Sequence, residues 1–471
     1  MKMKAAVLRE QGKPRPYATT MPMTIEEVDL DPPGPGEVLY KIVGAGLCHS
    51  DLSTIENLRP RKLPTIPGHE AAGIVEEVGP GVTALKPGDH VISVFVTSCG
   101  DCRYCNAGRP SLCQGANASR ANGTLISGAN RLSCGGEPIY HYSGLSVFAQ
   151  YAVVAQAALI KIPDDIPLDD VTIFGCAVLT GVGAVLYTAQ VPAGGQVAVV
   201  GLGGVGMNAL MGAVIAGAER IVAVDTNAEK LKLARELGAT DCFLAGNADS
   251  VQAILDATHG GLDYVIETAG SIPAMHTAYA ITARGGMVVS AGLPASNASF
   301  SYLHGALVSD EKSIRGSYMG SCIPKRDIPR FLGLYQRGKL PVHKLRSGFL
   351  SLEQINEGFD RLSDGSVLRQ ILRPNGSSRW QPTSSPAARA SSARISATRW
   401  SGAAIGCGCW TTCPPGIWKT CQPGSTSCKA TSPIPPPRRR RCRAWTAAST
   451  SPPSHPWSAA SPTGPAPTAS T

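Results

Sequence analysis

No run of 18 or more apolar residues occurs in this 471-residue chain, so no segment reads as a simple membrane-spanning helix. The opening MKMKAAVLREQG lacks the apolar stretch and small-residue cleavage site of an export signal, and a cytoplasmic protein with no membrane partner is expected. Aromatic residues are scarce, at 6%, while glycine is abundant at 52 residues; that balance suits an α/β protein rich in glycine turns. No internal repeat is evident. The last 98 residues, from Pro374 to Thr471, contain no Asp, Glu, Leu, Val, Phe or Tyr, yet hold all six Trp and 11 basic residues. Residues 1–373 therefore carry 32 basic against 34 acidic residues, a net charge of −2, although the whole chain stands at +9. Overall charge thus gives no support to nucleic-acid binding by the large part of the protein.

Residues 374–471 read as a low-complexity basic tail, disordered or translated out of frame, because without Leu, Val or Phe it cannot offset its ordering entropy. Arg438–Arg441 and Arg443 beside Trp445 have the chemistry to contact phosphates and stack on bases. This is the rival reading of a different class, nucleic-acid or partner binding through the tail, and it is disfavoured. Cys407, Cys409, Cys413, Cys421, Cys428 and Cys442 fit no ligand spacing.

Up to about residue 180 the text is rich in short strands broken by Gly and Pro: KAAVLR, EVLYKIVGAG, GIVEEVG, DHVISVFV and FAQYAVV. From Gly195 the rhythm changes. QVAVV, RIVAVD, DYVIE and GGMVVS are buried strands separated by helix-like text, including Gly204–Ala216 and AEKLKLARELGA. Such alternation predicts a parallel sheet covered on both faces by helices. A helix DIPRFLGLYQRG and a closing strand LRQILR follow.

Gly201-Leu202-Gly203-Gly204-Val205-Gly206 follows the strand QVAVV and opens a helix. In this context G-x-G-x-x-G allows a tight turn, a close backbone approach to a pyrophosphate and close helix–strand packing. Asp225 ends the next strand, where a carboxylate accepts from ribose hydroxyls and repels a 2′-phosphate, so NAD is expected over NADP. Lys230, one helical turn further on, can steady the same ribose or serve as an ordinary solvated lysine.

Cys99, Cys102, Cys105 and Cys113 place four thiols within 15 positions. Four thiolates satisfy tetrahedral zinc completely, which predicts a closed structural site over about residues 95–115. Cys48 in GLCHSD, His69 and Glu70 in PGHE, and Cys176 in FGCAVLTG offer two thiols and an imidazole. Three such ligands with an open fourth position are the pattern of a catalytic zinc, but spacing alone does not join them.

In this order and spacing, GLCHSD, PGHEAAGIVEEVG, the four-cysteine lobe, FGCAVLTG, VVGLGGVG and VLRQIL resemble a zinc-dependent medium-chain alcohol dehydrogenase over about residues 3–373. The long stretch from Gly115 to Val154 resembles the dimeric long-chain members, which implies a homodimer. The family implies a GroES-like β-barrel catalytic domain (residues 1–177 and 320–373) and a Rossmann doubly wound coenzyme domain (178–319). It implies two zinc ions per subunit and NAD. Carried over by motif, Cys48, His69 and Cys176 match the catalytic zinc ligands. Asp51 matches the acid that orients the histidine, and Glu70 a carboxylate that can approach the metal. Ser50 matches the hydroxyl that bonds the substrate oxygen. Thr180, Val205 and Leu293 match the nicotinamide wall, His49 and Arg369 the pyrophosphate contacts, and Phe95 and Phe148 the alcohol pocket.

The implied reaction is reversible oxidation of a primary or secondary alcohol, with zinc as Lewis acid and hydride passing to the nicotinamide. Polyol or sugar dehydrogenation and glutathione-dependent formaldehyde oxidation are the alternatives. Two positions depart from the pattern. Ser53 stands where many long-chain members carry the histidine that ends a proton relay. Gly115-Ala116-Asn117 stands where the glutathione-dependent enzymes carry a carboxylate-binding arginine, although Arg120 lies near.

Overall fold

The computed structural model describes residues 1–246 and 249–376. The basic tail, its cysteines and its arginine run lie outside the described residues.

The clearest match between text and structure is the coenzyme-type sheet. Its six parallel strands run in the spatial order Asp241–Leu244, Arg220–Asp225, Gln196–Val200, Leu262–Glu267, Thr282–Ser290 and Ser313–Gly316. Numbered along the chain this is 3-2-1-4-5-6, the doubly wound order whose reversal opens a crevice at the strands' carboxyl ends. Both faces are covered. Val197 and Val199 pack into one apolar cluster and Ala198 and Val200 into another, so the strand reads as continuously apolar instead of alternating.

The helix Gly204–Ala216 ends at Gly217, whose φ of 76° supplies the left-handed cap. The helix Ala228–Glu236 begins at Asn227, whose side chain accepts from the Glu229 N–H.

The remaining strands build a near-closed, largely antiparallel barrel. Glu37–Gly46 is its axis: it pairs with Glu70–Val78 on one side, with Tyr151–Ala155 and, near its end, with Arg369–Leu372. A smaller sheet led by Lys2–Leu8 and Met23–Leu30 packs on the same apolar core. The predicted strand DHVISVFV is shorter than its text, spanning only His90–Ser93, because Val94, Phe95 and Val96 leave the ladder to pack around the metal-side core. The return of Arg369–Leu372 beside Gly46 brings the far end of the described chain to the start of the GLCHSD segment.

No single helix among the described residues is long and apolar enough to cross a membrane. The bent pair Leu168–Gly175 and Ala177–Ala189 meets length and composition alone, and Ala177–Gly183 is wholly buried in the core.

Candidate active site and metal centres

Cys48 lies between the strand Glu37–Gly46 and the helix His49–Ile55, as the N-cap residue of that helix. Cys176 holds the same position before the helix Ala177–Gly183. His69 immediately precedes the strand Glu70–Val78, which Glu70 opens. Gly68 can precede them because its φ is 94° and a Cβ there would come within 2.8 Å of the Phe148 backbone nitrogen. Three separate turns thereby bring ligand atoms of Cys48, His69, Glu70 and Cys176 within 4.8 Å of one another, all buried.

His69 and Asp51 are completely buried, with Nδ1 and Oδ1 3.0 Å apart, and Asp51 also accepts from the Gly68 N–H. This contact keeps one ring proton on Nδ1, so Nε2 is the nitrogen that offers a lone pair to a metal once its own proton is displaced. Nε2 is buried without a partner, which is costly for a polar atom unless something fills the place. Burial opposes the His69 charge, but Asp51 overcomes it and holds the imidazole pKa well above its usual value. The Cys48 thiol is held well below its ordinary value by a hydrogen bond from Cys176, whose own thiol is pushed well up by the same bond and by burial. The two sulfurs thus share a proton that a metal ion would displace. Glu70 accepts from the Ala177 N–H at 3.2 Å and from Arg369 at 3.1 Å; burial pushes its carboxyl up to about 8 against the pull of Arg369. The donor set and its orphaned nitrogen fit zinc.

The second cluster also fits. Cys99, Cys102, Cys105 and Cys113 have sulfurs within 4.8 Å of one another, with 4.0 Å between Cys99 and Cys105 and 3.6 Å between Cys102 and Cys105. Four sulfurs at the usual Zn–S distance stand about 3.8 Å apart, whereas a disulfide requires about 2 Å. All nine cysteines among the described residues are free. Backbone N–H groups of Cys105 and Gln114 bring the Cys102 thiol down to about 6, so its thiolate is available near neutrality.

A cleft of about 300 Å³ connects the buried cluster to the glycine turn. Cys48, His49, Ser50, Phe95, Cys176, Thr180, Val205, Leu293 and Arg369 line it, as do Gly201, Gly203, Gly204, Asp225 and Lys230. Gly201 has φ 89°, and a Cβ there would strike Ala269. A Cβ on Gly206 would meet the Gly201 carbonyl, so this glycine serves the turn's own packing, while one on Gly203 would meet nothing within 4 Å. Open space at Gly203, above the N-terminus of a 13-residue helix, suits a pyrophosphate. Arg369 closes the same side: its Nε is buried without a partner and stands 2.0 Å from where a Gly204 Cβ would be. Asp225 accepts from the Leu202 and Asn227 N–H groups, which fix its carboxylate at the cleft's end. The cleft therefore fits a dinucleotide.

Phe148 requires a correction. It does not line the cleft but is wholly buried in the barrel core, its ring 6.0 Å from that of Phe359. It precedes the strand Tyr151–Ala155, and its ring lies beneath Gly68. Phe95 does reach the site, with its ring 4.5 Å from His69. Ser53 also lines the cleft, but its hydroxyl donates to the His49 carbonyl at 2.9 Å. Sequence reasoning missed Tyr142, Tyr318 and Met319. Tyr142 donates to the Ser50 carbonyl and its ring stands 6.1 Å from His69, whereas Tyr318 and Met319 line the cleft. None carries a motif, because each arrives from a distant segment.

The architecture and paired metal clusters define a zinc-binding dehydrogenase with a GroES-like barrel. Residues 34–164 match the alcohol dehydrogenase GroES-like domain family and residues 204–337 the zinc-binding dehydrogenase family. The chain belongs to the zinc-binding alcohol dehydrogenases of the medium-chain dehydrogenase/reductase superfamily, and is a zinc- and NAD-dependent oxidoreductase. It is 39% identical to the NDMA-dependent alcohol dehydrogenase of Amycolatopsis methanolica over 376 residues, which are 79% of this chain and 99% of that relative. It is 37% identical to the S-(hydroxymethyl)glutathione dehydrogenase of Escherichia coli O1:K1 over 377 residues, 79% of this chain and all of that one. The crystal structure of benzyl alcohol dehydrogenase from Acinetobacter calcoaceticus superposes with a TM-score of 0.74 at 31% identity, covering 79% of this chain and 99% of that chain.

Proposed function

We propose that this protein oxidises a small alcohol to its aldehyde or ketone, and reverses the reaction, in the cleft between the Cys48–His69–Cys176 cluster and the glycine turn. The observation carrying this reading is the buried His69 Nε2, left partnerless beside two thiols at the inner end of a dinucleotide-shaped cleft. When bound, zinc supplies Lewis acidity toward a substrate oxygen and NAD accepts a hydride.

The chain's own residues do the rest. Cys48, His69 and Cys176 hold the metal, and Asp51 keeps His69 Nε2 aimed at it. Ser50 Oγ takes the hydroxyl proton. Phe95 and Tyr318, with ring centroids 6.4 Å apart, form an apolar wall that excludes water from the reacting carbon. Thr180, Val205 and Leu293 hold the nicotinamide side, while Arg369, His49 and the turn N–H groups hold the pyrophosphate. Asp225 and Lys230 hold the ribose. Ser53 does not extend a proton route from Ser50, because its hydrogen is engaged by the His49 carbonyl; the proton leaves through ribose and water. Cys99, Cys102, Cys105 and Cys113 hold the structural zinc. We assign the barrel domain to residues 1–177 and 320–373 and the coenzyme domain to 178–319.

A second reading, oxidation of the thiol adduct S-(hydroxymethyl)glutathione, is supported by the name and full-length coverage of the Escherichia coli relative. NAD-linked and NADP-linked assays over primary, aryl and secondary alcohols, with formaldehyde plus glutathione as a separate arm, test both. NAD reduction by simple alcohols supports the first reading; reduction that needs glutathione supports the second.

We further infer a homodimer that pairs the sheet edge Ser313–Gly316, which is wholly exposed beside Leu303 (79% exposed) and Val308 (64%). Sedimentation of Ile314→Pro tests this: a monomer is expected, and an unchanged dimer contradicts it.

A further inference from the structure

Three successive residues at the cleft wall, Met319, Gly320 and Ser321, hold left-handed backbone, with φ of 52°, 63° and 54°. Glycine takes that region freely, but in methionine and serine the Cβ crowds the neighbouring carbonyl. Such a run persists only where its surroundings over-determine it. Met319 and the two residues before it, Ser317 and Tyr318, line the cleft, and the Thr180 hydroxyl meets Met319 Sδ at 3.8 Å. The bend therefore shapes the wall assigned to the nicotinamide.

What holds the bend lies outside the cleft. The helix Ala177–Gly183 continues into a wider π-helical turn over Ala184–Ala189, a distortion frequent at functional positions. The bend is pressed against this helix: a Cβ on Gly320 would meet the Leu179 carbonyl oxygen at 2.1 Å, and one on Gly183 the Gly320 carbonyl oxygen at 2.6 Å. The Cys322 thiol also donates to the Leu179 carbonyl, at 3.3 Å. Thr188, buried in the π-helical turn, grips both flanks of the bend. Its carbonyl accepts from Arg315 at 2.8 Å, and its hydroxyl bonds those of Ser317 at 2.8 Å and Ser321 at 3.0 Å. With one proton to give, the Thr188 hydroxyl donates to one serine and accepts from the other. Close packing brings the bend near the helix, but these two directional bonds span the left-handed run and fix its ends. Thr188 does not itself line the cleft.

We propose that Thr188 is a positioning residue for the nicotinamide half of the cofactor. By tying Ser317 to Ser321 it fixes Tyr318 and Met319 in the cleft wall, and through them the place of the ring that exchanges hydride. The adenosine half, assigned to Asp225, Lys230 and the glycine turn, does not depend on it. The role rests on the alcohol-oxidising reading for its effect on turnover, whereas its effect on cofactor binding is measurable without turnover.

Its test compares NADH with ADP-ribose, which lacks the nicotinamide, by fluorescence and calorimetric titration of the zinc-loaded protein. Thr188→Val keeps the branched shape and removes the hydroxyl. It should weaken NADH about tenfold and lower kcat by about the same factor, because small misplacements of a reacting group are costly in rate, while ADP-ribose affinity and the KM for alcohol stay within about twofold. Thr188→Ser, which retains a hydroxyl, should restore both. Ser321→Ala removes the far end of the same bond and should reproduce the selective loss, which keeps the test decisive if Thr188→Val fails to fold. Unchanged NADH affinity in Thr188→Val and Ser321→Ala overturns the proposal. So does an equal loss of NADH and ADP-ribose, or a Thr188→Ser protein no better than Thr188→Val. If NADH is weakened selectively but the unmodified protein oxidises no alcohol, the positioning role stands and the alcohol-oxidising reading falls.

Discussion

Arg369 Nη1 donates to Glu70 Oε2 across 3.1 Å, joining a residue of the last barrel strand to the residue after His69. The same nitrogen also donates to the Leu47 carbonyl, just before Cys48. With its Nε still free beside Gly204, this one guanidinium couples the metal cluster to the phosphate end of the cleft. Replacing Arg369 by Lys keeps a charge for Glu70 but removes the planar fork. The NAD dissociation constant is expected to rise about tenfold, measured by quenching of protein fluorescence on titration.

Gly203 offers a cleaner probe of the dinucleotide turn, because a Cβ there meets no protein atom within 4 Å. Gly203→Val should fold normally, with an unchanged melting temperature without cofactor, yet bind NAD on the order of a hundred times more weakly, since its side chain would occupy the pyrophosphate's place. Gly201→Val should instead fail to fold, because φ 89° and Ala269 both exclude it.

Asp51 acts on zinc through His69. Asp51→Asn removes the carboxylate that fixes the ring's proton on Nδ1, and should weaken zinc at the catalytic cluster by about 10–100-fold. Competition with a chelator measures this directly, with the cysteine lobe retaining its own ion as internal control.

Stability should depend on pH through His141. Its Nε2 accepts from the Arg131 N–H at 3.2 Å, Nδ1 is buried without a partner, and burial pushes its pKa down from 6.5 to about 4. Between pH 6.5 and 4 the unfolded chain binds a proton there that the folded one refuses. Stability is therefore fully present above pH 6.5 and is lost as pH falls toward 4, by on the order of 3 kcal/mol. Denaturant unfolding from pH 8 to 4 should show this loss reduced in His141→Gln relative to the unmodified protein.

The cysteine lobe and the glycine turn are legible in the sequence for a physical reason. A closed thiolate site needs cysteines close together on one loop, and a phosphate turn needs glycines at fixed offsets, so both are local. The Cys48, His69 and Cys176 set is legible only through resemblance, since three turns far apart in the chain assemble it. Phe148 shows where motif matching stops: it lies near the right strand but turns into the barrel core beneath Gly68. Tyr142, Tyr318 and Met319 carry no local signal, because their place at the site depends on how distant segments pack. Strand ends behave similarly. RIVAVD spans its predicted residues because the sheet continues on both sides, whereas the DHVISVFV ladder stops at Ser93 as the next residues turn toward the cysteine lobe.

The most direct test counts zinc in parallel with NAD-linked alcohol oxidation in the unmodified protein, Cys176→Ser and Cys102→Ser. The unmodified protein should hold two zinc ions per chain. Cys176→Ser should lose the catalytic ion and its turnover while still binding NAD, and Cys102→Ser should lose the lobe ion and on the order of 4 kcal/mol of stability. A Cys176→Ser protein that keeps both ions and full activity would contradict the account at its centre.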